Sequence, residues 1–224
     1  MLSVVVPTLE EEKNIPDTLF RIGATLKKNY EILVVDDNSE DRTRELAENL
    51  SGVFNVRVIE VNYKDYAKSV MRGISEAKGD CVCVIDGDGQ HCIELIPDML
   101  SYLEEHDIII SSCLHKNLIR NILSAGARYI TKLLIPKTRG VAYPTSSFVV
   151  FKKSVVEGVE FKSTGFKFLP EILLKGKYKS IKTIHSNIGK RKNGKSKVAE
   201  NILKSLRATY ALAMENKEFR GRSR

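Results

Sequence analysis

Two aspartates, Asp86 and Asp88, stand on either side of a single glycine, directly after the apolar run Cys81–Ile85. Where a strand passes into a loop, carboxylates at positions i and i+2 can both turn towards one divalent cation. Hard oxygen ligands of this kind suit Mg²⁺ or Mn²⁺. Gln90 supplies a third, neutral oxygen. A bare Asp-Gly turn has the same letters, so the spacing alone is a weak signal. The first prediction is a metal site of Asp86, Asp88 and Gln90, whose cation bridges a diphosphate.

The chain around this motif alternates between short apolar runs and helix-length amphipathic stretches. Runs that are apolar on both faces are typical of a parallel sheet covered by helices. The alternation therefore predicts an open, mostly parallel α/β sheet with helices on both faces. The predicted strands are Leu2–Val6, Glu31–Val35, Val56–Val61, Cys81–Ile85 and Ile108–Ser111. The predicted helices are Ile15–Lys27, Asp41–Leu50, Tyr66–Ala77 and Ile93–Glu105.

Polar clusters follow three of these strands at their carboxyl ends, where ligands bind in open α/β sheets. They are Pro7–Glu12, Asp36–Ser39 and Asp86–His91. We expect the candidate site at this edge.

The second half begins with a predicted amphipathic helix, Leu118–Ile135, whose apolar face is expected to pack on its own domain rather than on a membrane surface. Further predicted elements are a strand about Ser147–Phe151, a short helix near Phe166–Leu174, a strand near Ser180–Ser186 and a final helix over Val198–Met214.

Basic residues outnumber acidic ones, 36 to 28, and the excess is local. Lys175–Lys197 contains nine lysines or arginines and no acidic residue, and Arg220–Arg224 is a second basic run. Such patches attract phosphates of nucleotides, nucleic acids or lipid headgroups. A nucleic-acid-binding protein is one alternative. Tyr178 is the only aromatic residue in the first run, so recognition by base stacking is not expected.

The composition is that of an ordinary globular protein, with 42% hydrophobic and 29% charged residues, and 224 residues suit a single domain. The sequence contains no run of about 18 apolar residues, so no membrane span is predicted. The amino terminus lacks the basic region of a signal peptide. Four cysteines without a C-x-x-C pair predict neither a disulfide scaffold nor a zinc site, and we expect a reducing, cytoplasmic setting.

One segment, Gly189–Ser196, fits the phosphate-binding pattern G-x-x-x-x-G-K-S of P-loop NTPases. A P-loop follows a core strand and opens a helix that leads to further parallel strands. Here the preceding predicted strand, Ser180–Ser186, is polar and rich in lysine, and only about one helix follows. An NTPase is therefore kept as the alternative of another class. No G-x-G-x-x-G follows the first strand, which argues against a dinucleotide-binding dehydrogenase.

Several elements, in order, resemble those of a known family. VVVPTLEEEKNI, EILVVDDNSEDRT and CVIDGDGQH are similar to the N-terminal, nucleotide-binding and D-x-D elements of family 2 glycosyltransferases with the GT-A fold. The order VVDDNS, D-x-D-x-Q-H, T-S-S-F, GFKFLPEILLKG and R-x-x-G-x-S-K resembles more narrowly the polyprenyl-phosphate glycosyltransferases, which include the dolichol-phosphate mannosyltransferases. The resemblance covers about residues 1–200, and its last element is the most specific.

The resemblance implies a role for each matching residue. Pro7 and Glu11 would line the nucleotide pocket, and Asp36 and Asp37 would reach the base or ribose. Mg²⁺ or Mn²⁺ would sit on the diphosphate, held by the D-x-D-x-Q residues Asp86, Asp88 and Gln90. Cations would bind the donor and acceptor phosphates, and these are Arg120, Arg191 and Lys197. Asp88, Arg120 and Arg191 would be the catalytic set.

The implied activity is inverting transfer of a sugar, mannose from GDP-mannose above all, to dolichyl or another polyprenyl phosphate. A UDP-sugar donor or a saccharide acceptor is the alternative within the same fold. We expect one catalytic domain, with a nucleotide-sugar half over residues 1–112, an acceptor half over 113–200, and a helix and basic tail over 201–224. The chain would bind the cytoplasmic face of a membrane peripherally, directly or through a membrane partner, and no nucleic acid.

The sequence also departs from the family pattern. Leu9-Glu10 replaces the usual Tyr-Asn, and a glycine-rich segment is reduced to Lys64–Gly73. Ser111–Cys113 lacks an expected phosphate-binding arginine, and Tyr143 stands where an aspartate is usual. We expect these departures to affect the donor and acceptor rather than the metal site.

Overall fold

A seven-stranded mixed sheet forms the centre of the computed structural model, which describes residues 1–112, 118–162, 165, 168–186, 210–212 and 214. The strands are β1 Leu2–Thr8, β2 Tyr30–Asp36, β3 Val56–Glu60, β4 Cys81–Val84, β5 Ile108–Ser111, β6 Val149–Lys152 and β7 Ile181–Ile184. Their order is β3-β2-β1-β4-β6-β5-β7. β6 runs antiparallel to β4 and β5, and the other neighbours are parallel. The five strands predicted for the first half are confirmed.

The helices alternate with the strands as predicted. They are α1 Ile15–Leu26, α2 Thr43–Asn49, α3 Tyr66–Glu76, α4 Ile96–Ser101, α5 Leu118–Leu134 and α6 Phe168–Lys175. The continuous helix predicted over Ile93–Glu105 is wrong, because 3₁₀ turns flank α4 at Ile93–Leu95 and Tyr102–Glu104. Pro97 lies in the first turn of α4, where its missing N–H is tolerated, and an α-helix begins there rather than earlier.

Two hydrophobic cores cover the two faces of the sheet. Successive residues of a strand point to opposite faces, so Val5 packs with α3 and α6, whereas Val4 and Val6 pack with α1 and α4. All seven residues of β1 are buried. The apolar runs without polar alternation are thereby explained, because helices exclude water from both faces of these strands.

Helix α5 differs from the expectation that its apolar face packs on its own domain. Ile122, Tyr129 and Leu133 are 62%, 70% and 59% exposed. Thr131 is buried on the opposite side, and its hydroxyl donates to the carbonyl of Ala127 (2.8 Å). The prediction is therefore wrong for Ile122 and Leu133, which belong to that face. Within the described ranges, no helix is long and apolar enough to cross a bilayer.

Candidate active site

Asp86 follows β4 by two residues and lies at the carboxyl edge of the sheet. Tyr66 Oη donates to its Oδ1 (2.7 Å), and Ser147 Oγ donates to its Oδ2 (2.6 Å). His91 Nε2 lies 3.1 Å from the same Oδ2. Because an ionised carboxylate only accepts hydrogen bonds, this nitrogen carries the proton in the contact. The Asp86 side chain is 28% exposed, so it remains accessible on one side although three side chains contact it.

The environment of Asp86 favours its charged form. Burial acts to raise the pKa of this carboxyl group, but the hydrogen bonds from His91, Ser147 and Tyr66, with the charge of His91, outweigh burial and leave the pKa below the ordinary aspartate value. Burial and the neighbouring Asp86 charge raise the pKa of Tyr66 well above its usual value. Tyr66 therefore remains a phenol that donates to a carboxylate at neutral pH.

Helix α1 holds the loop that carries the D-x-D motif. Thr18 Oγ1 donates to the carbonyl of Gly87 (3.1 Å), and Arg21 Nη1 donates to the carbonyl of Gly89 (3.3 Å). A Cβ at Gly87 would meet Thr8 Cγ2 at 2.9 Å, and Gly89 has φ +70°. A side chain fits poorly at the first glycine, and the second has a left-handed backbone. The two glycines therefore allow the tight loop that carries Asp86 and Asp88.

The three predicted metal ligands lie on this one loop. Asp88 Oδ1 accepts from the backbone N–H of Gln90 (3.0 Å), which fixes the turn between them. The part of the chain that the structure describes contains no group of three or more His, Cys, Asp or Glu residues arranged to hold a metal. Mg²⁺ is commonly bound by one or two carboxylates with substrate phosphates completing its shell. An ionised Asp86, Asp88 and the Gln90 amide fit such a cation, one that is shared with a diphosphate.

Asp37, predicted to reach the base or ribose, is surrounded by donors from its own chain. Its Oδ1 accepts from the backbone N–H groups of Tyr63 (2.6 Å) and Lys64 (2.9 Å). Its Oδ2 accepts from the N–H of Asp65 (2.8 Å) and from Ser69 Oγ (3.1 Å). The visible role of this buried carboxylate is to fix the loop between β3 and α3, which also carries Tyr66 to Asp86.

The other residues predicted for the nucleotide pocket lie on the same edge. Asp36 ends β2 and accepts from Thr8 Oγ1 (3.1 Å) and Ser39 Oγ (2.6 Å). Pro7 is buried in β1, beside Val35 of β2. Glu11 Oε2 accepts from the amide of Asn14 (2.7 Å), just before α1. Their assignment to a nucleotide pocket stays a prediction.

The three predicted phosphate-binding cations are not described. Arg120 belongs to α5, but its side chain lies outside the described residues, as do Arg191 and Lys197. The P-loop-like segment Gly189–Ser196 lies outside them too. The strand before it, β7, is at the edge of the sheet and pairs with β5. An edge position disfavours the NTPase alternative, because a P-loop follows a core strand.

Sequence reasoning did not assign Tyr66, Ser147 or Thr18 to the site. Tyr66 is 20 residues from Asp86 and Ser147 is 61, so no local spacing connects them. The T-S-S-F segment was a signal for Ser147, since its position before β6 brings it beside the end of β4. The ring of His91 lies between Asp86 and Ser147 Oγ (3.2 Å), where it supports the carboxylate.

A second polar group lies at the carboxyl ends of β5 and β7. Ser112 Oγ is 3.4 Å from His185 Nδ1 and accepts from the N–H of Ser186 (3.0 Å). The ring of Tyr143 contacts His185 edge-on, with 6.5 Å between centroids. The guanidinium carbon of Arg128, on α5, lies 5.0 Å from the Tyr143 ring centroid.

The sheet order, with the D-x-D loop at its carboxyl edge, is that of the GT-A fold, and the predicted fold is confirmed. Residues 3–159 match the family described as Glycosyl transferase family 2, and the chain belongs to this family.

Two similar proteins are dolichol-phosphate mannosyltransferases. A dolichol-phosphate mannosyltransferase of Pyrococcus furiosus is 39% identical over 222 residues, covering 94% of this chain and 63% of that protein. A dolichol-phosphate mannosyltransferase of Saccharomyces cerevisiae is 28% identical over 223 residues, covering 90% of this chain and 82% of the relative. The chain thus spans less than two thirds of the length of the Pyrococcus protein.

Solved structures show the same architecture. Glucosyl-3-phosphoglycerate synthase from Mycobacterium tuberculosis in complex with phosphoglyceric acid has a TM-score of 0.75 at 19% identity, covering 96% of this chain and 79% of that one. The same synthase in complex with Mn²⁺, uridine diphosphate and glucosyl-3-phosphoglycerate has a TM-score of 0.75 at 20% identity, with the same coverage. At this level of identity the likeness concerns the fold.

Proposed function

We propose that this protein transfers a sugar from a nucleotide sugar to a polyprenyl phosphate, with mannose from GDP-mannose and dolichyl phosphate as the favoured pair. The observation that carries the proposal is the Asp86 carboxylate. It is kept ionised by three side chains, opens towards the carboxyl edge of a GT-A sheet and is followed by Asp88. The 39% identity to a dolichol-phosphate mannosyltransferase favours this donor and acceptor over the UDP-sugar alternative.

A divalent cation held by Asp86, Asp88 and Gln90 would neutralise the diphosphate leaving group. Mg²⁺ and Mn²⁺ both suit this oxygen-rich set. The role of Tyr66, Ser147 and His91 is to hold the Asp86 carboxylate in its charged form and fixed orientation, as supporting residues do around metal ligands. The Asp37-bound loop would frame the nucleotide end, together with Pro7, Glu11 and Asp36.

The proposed reaction is a single displacement at the anomeric carbon. An acceptor phosphate oxygen forms the new bond to that carbon as the bond to the nucleoside diphosphate oxygen breaks, and the configuration inverts. A phosphate monoester is already anionic at neutral pH, so the nucleophile needs no general base. Catalysis then depends on alignment and on charge stabilisation, for which Arg120, Arg191 and Lys197 are proposed phosphate ligands.

The exposed apolar stripe of α5, formed by Ile122, Tyr129 and Leu133, suits peripheral attachment to a membrane. We place it on the cytoplasmic face, where anionic headgroups would attract the basic segments. Sedimentation with anionic vesicles tests this attachment. The double variant Ile122→Ser and Leu133→Ser should bind the vesicles more weakly than the wild type does. Val53→Ser is the control, because Val53 is as exposed as Tyr129 but lies beyond α2. Equal binding by both variants would remove the stripe from the proposal.

The activity is tested with a panel of nucleotide sugars, a short prenyl phosphate and either Mn²⁺ or Mg²⁺. We expect a mannosyl-lipid product from GDP-mannose, with turnover abolished by a chelator. GDP should raise the melting temperature more than UDP does in the presence of the cation. Transfer from UDP-sugars alone would move the assignment to the UDP-sugar alternative. No transfer to any prenyl phosphate would reject the lipid acceptor.

A further inference from the structure

Arg128 differs from the other arginines whose side chains are described. Five of them form ion pairs with glutamates, at 2.5–3.0 Å for the shortest contact of each. They are Arg21, Arg42, Arg44, Arg57 and Arg72. Arg139 donates to the carbonyl of Lys132 (3.3 Å). Arg128 instead lies over the face of Tyr143, and no described carboxylate is within ion-pair distance of it.

The ring of Tyr143 gives this guanidinium a fixed position. Tyr143 packs against the hydrophobic core on the α3 and α6 face of the sheet, and this packing holds its ring in place. His185 contacts the ring edge-on, and Ser112 Oγ lies 3.4 Å from His185 Nδ1. A cation over an aromatic face is held electrostatically while its N–H groups stay available to a further partner. The site is therefore a positioned positive charge whose described surroundings do not neutralise it.

The strand order places this cation on the far side of the metal loop from the nucleotide loops. Asp37 follows β2, Asp86 follows β4, and the Ser112–His185 pair follows β5 and β7. Two strand spacings separate β4 from β5, which is about 10 Å. Tyr143 is four residues before Ser147, which donates to Asp86. A group bound at Arg128 would thus lie on the β5–β7 side of a diphosphate on the D-x-D loop.

We propose that Arg128, held on Tyr143, binds the phosphate of the acceptor lipid and aligns it for attack. The inference rests on the proposed function and adds to it a residue that the family resemblance does not supply. Guanidinium groups bind phosphate through paired, charge-assisted hydrogen bonds. Tyr143, which stands where the family pattern has an aspartate, supports the cation here without cancelling its charge.

The test separates acceptor from donor in steady-state kinetics with a short, water-soluble prenyl phosphate. Arg128→Ala should raise the KM for the prenyl phosphate about tenfold to a hundredfold, the effect of losing a charge-assisted hydrogen bond. The KM for the nucleotide sugar should stay within about twofold of the wild-type value. Tyr143→Leu should reproduce the defect in part, whereas Tyr143→Phe keeps an aromatic face and should stay close to wild type.

Arg139→Ala is the matched control, since it removes an exposed guanidinium just after α5 that is not placed at the site. An unchanged acceptor KM in Arg128→Ala would overturn the inference, and so would an equal rise in Arg139→Ala. Calorimetric titration of prenyl phosphate into protein without nucleotide tests Arg128 independently of turnover. If the wild type bound the lipid in an Arg128-dependent way but transferred no sugar to it, the proposed function would fail and the phosphate site would remain.

Discussion

The carboxylates on the β1–β4 side of the site and the cation on the β5–β7 side are supported in opposite ways. Both carboxylate oxygens of Asp36, Asp37 and Asp86 accept hydrogen bonds from donors within the protein. On the other side, Arg128 rests on an aromatic ring without a described carboxylate. Further along the same helix, α5 exposes Tyr129 and Leu133.

This difference agrees with what each side is proposed to bind. Negative side chains that crowd together repel one another unless protein donors or a cation compensate them, so the proposed metal side needs its own hydrogen-bond network. A positive charge beside an exposed apolar helix face is complementary to a ligand that is both anionic and apolar. A lipid phosphate has both properties. The donor and the acceptor of the proposed reaction would therefore bind to two chemically different surfaces.

The largest expected effect comes from removing a metal-side carboxylate. Asp88→Asn should lower kcat/KM by about a hundredfold to a thousandfold, because a cation that stabilises leaving-group charge loses a charged ligand. Steady-state rates at saturating Mn²⁺ measure the loss. Asp98→Asn, which changes an exposed carboxylate on α4, should be neutral. Wild-type rates in both Asp86→Asn and Asp88→Asn would show that the D-x-D motif holds no catalytic metal.

A smaller effect is expected from Tyr66→Phe, which removes one donor to Asp86 and keeps the ring. Loss of such a supporting hydrogen bond typically weakens metal affinity about tenfold to a hundredfold. Titration of Mn²⁺ in the presence of nucleoside diphosphate, followed by calorimetry, measures this apart from turnover. The acceptor KM should not change, because Tyr66 lies on the metal side.

Tyr178→Phe provides the comparison for this variant. Tyr178 also donates through its hydroxyl, to the carbonyl of Leu173 (2.7 Å), but near the end of α6 and away from the D-x-D loop. Its loss should leave Mn²⁺ affinity unchanged. If Tyr66→Phe bound Mn²⁺ as tightly as the wild type, the Tyr66 hydroxyl would have no part in organising the metal site.

Much of the β1–β4 side could be predicted because its signals are local. Each strand there is a continuous apolar run, and Asp36, Asp37, Asp86 and Asp88 lie at or shortly after the carboxyl ends of strands that share one edge. The break at α4 was missed because the apolar pattern continues through Pro97. Tyr66 and Ser147 were missed because only the tertiary fold brings them to Asp86.

The β5–β7 side was less predictable for a different reason. An amphipathic pattern in α5 indicates a helix, but it does not say whether protein or something else covers the apolar face, and here Ile122 and Leu133 are exposed. The Arg128–Tyr143 contact joins a helix to the loop before β6, so neither residue signals the other in the sequence. A departure from the family pattern, such as Tyr143, indicates that the local contacts differ but does not identify the residue that contacts it.

The smallest expected effect concerns how the β5–β7 side is held together away from the site. Asp107 lies just before β5, at the opposite edge of the sheet, and its Oδ2 accepts from the N–H groups of Lys179 (2.8 Å) and Ser180 (3.2 Å). Lys152 Nζ donates to its Oδ1 (3.1 Å). The hydrogen bond from the Lys179 backbone, more than any other influence, lowers the pKa of Asp107. One carboxylate therefore joins β5 to β6 and β7.

The folded-state pKa of Asp107 lies below the unfolded value of about 3.9. The ionised carboxylate therefore contributes fully to the free energy of unfolding well above that value, and this contribution is lost as pH falls through the folded-state pKa. Asp107→Asn should lower the free energy of unfolding by about 1 kcal/mol at pH 7, as for the loss of a typical hydrogen bond, and by less near pH 3. Urea unfolding at the two pH values measures the difference. Sugar transfer by Asp107→Asn should stay near wild type at pH 7. An equal loss of stability at both pH values would mean that Asp107 acts through its shape rather than its charge, and a large loss of transfer would mean that the two edges of the sheet are not independent.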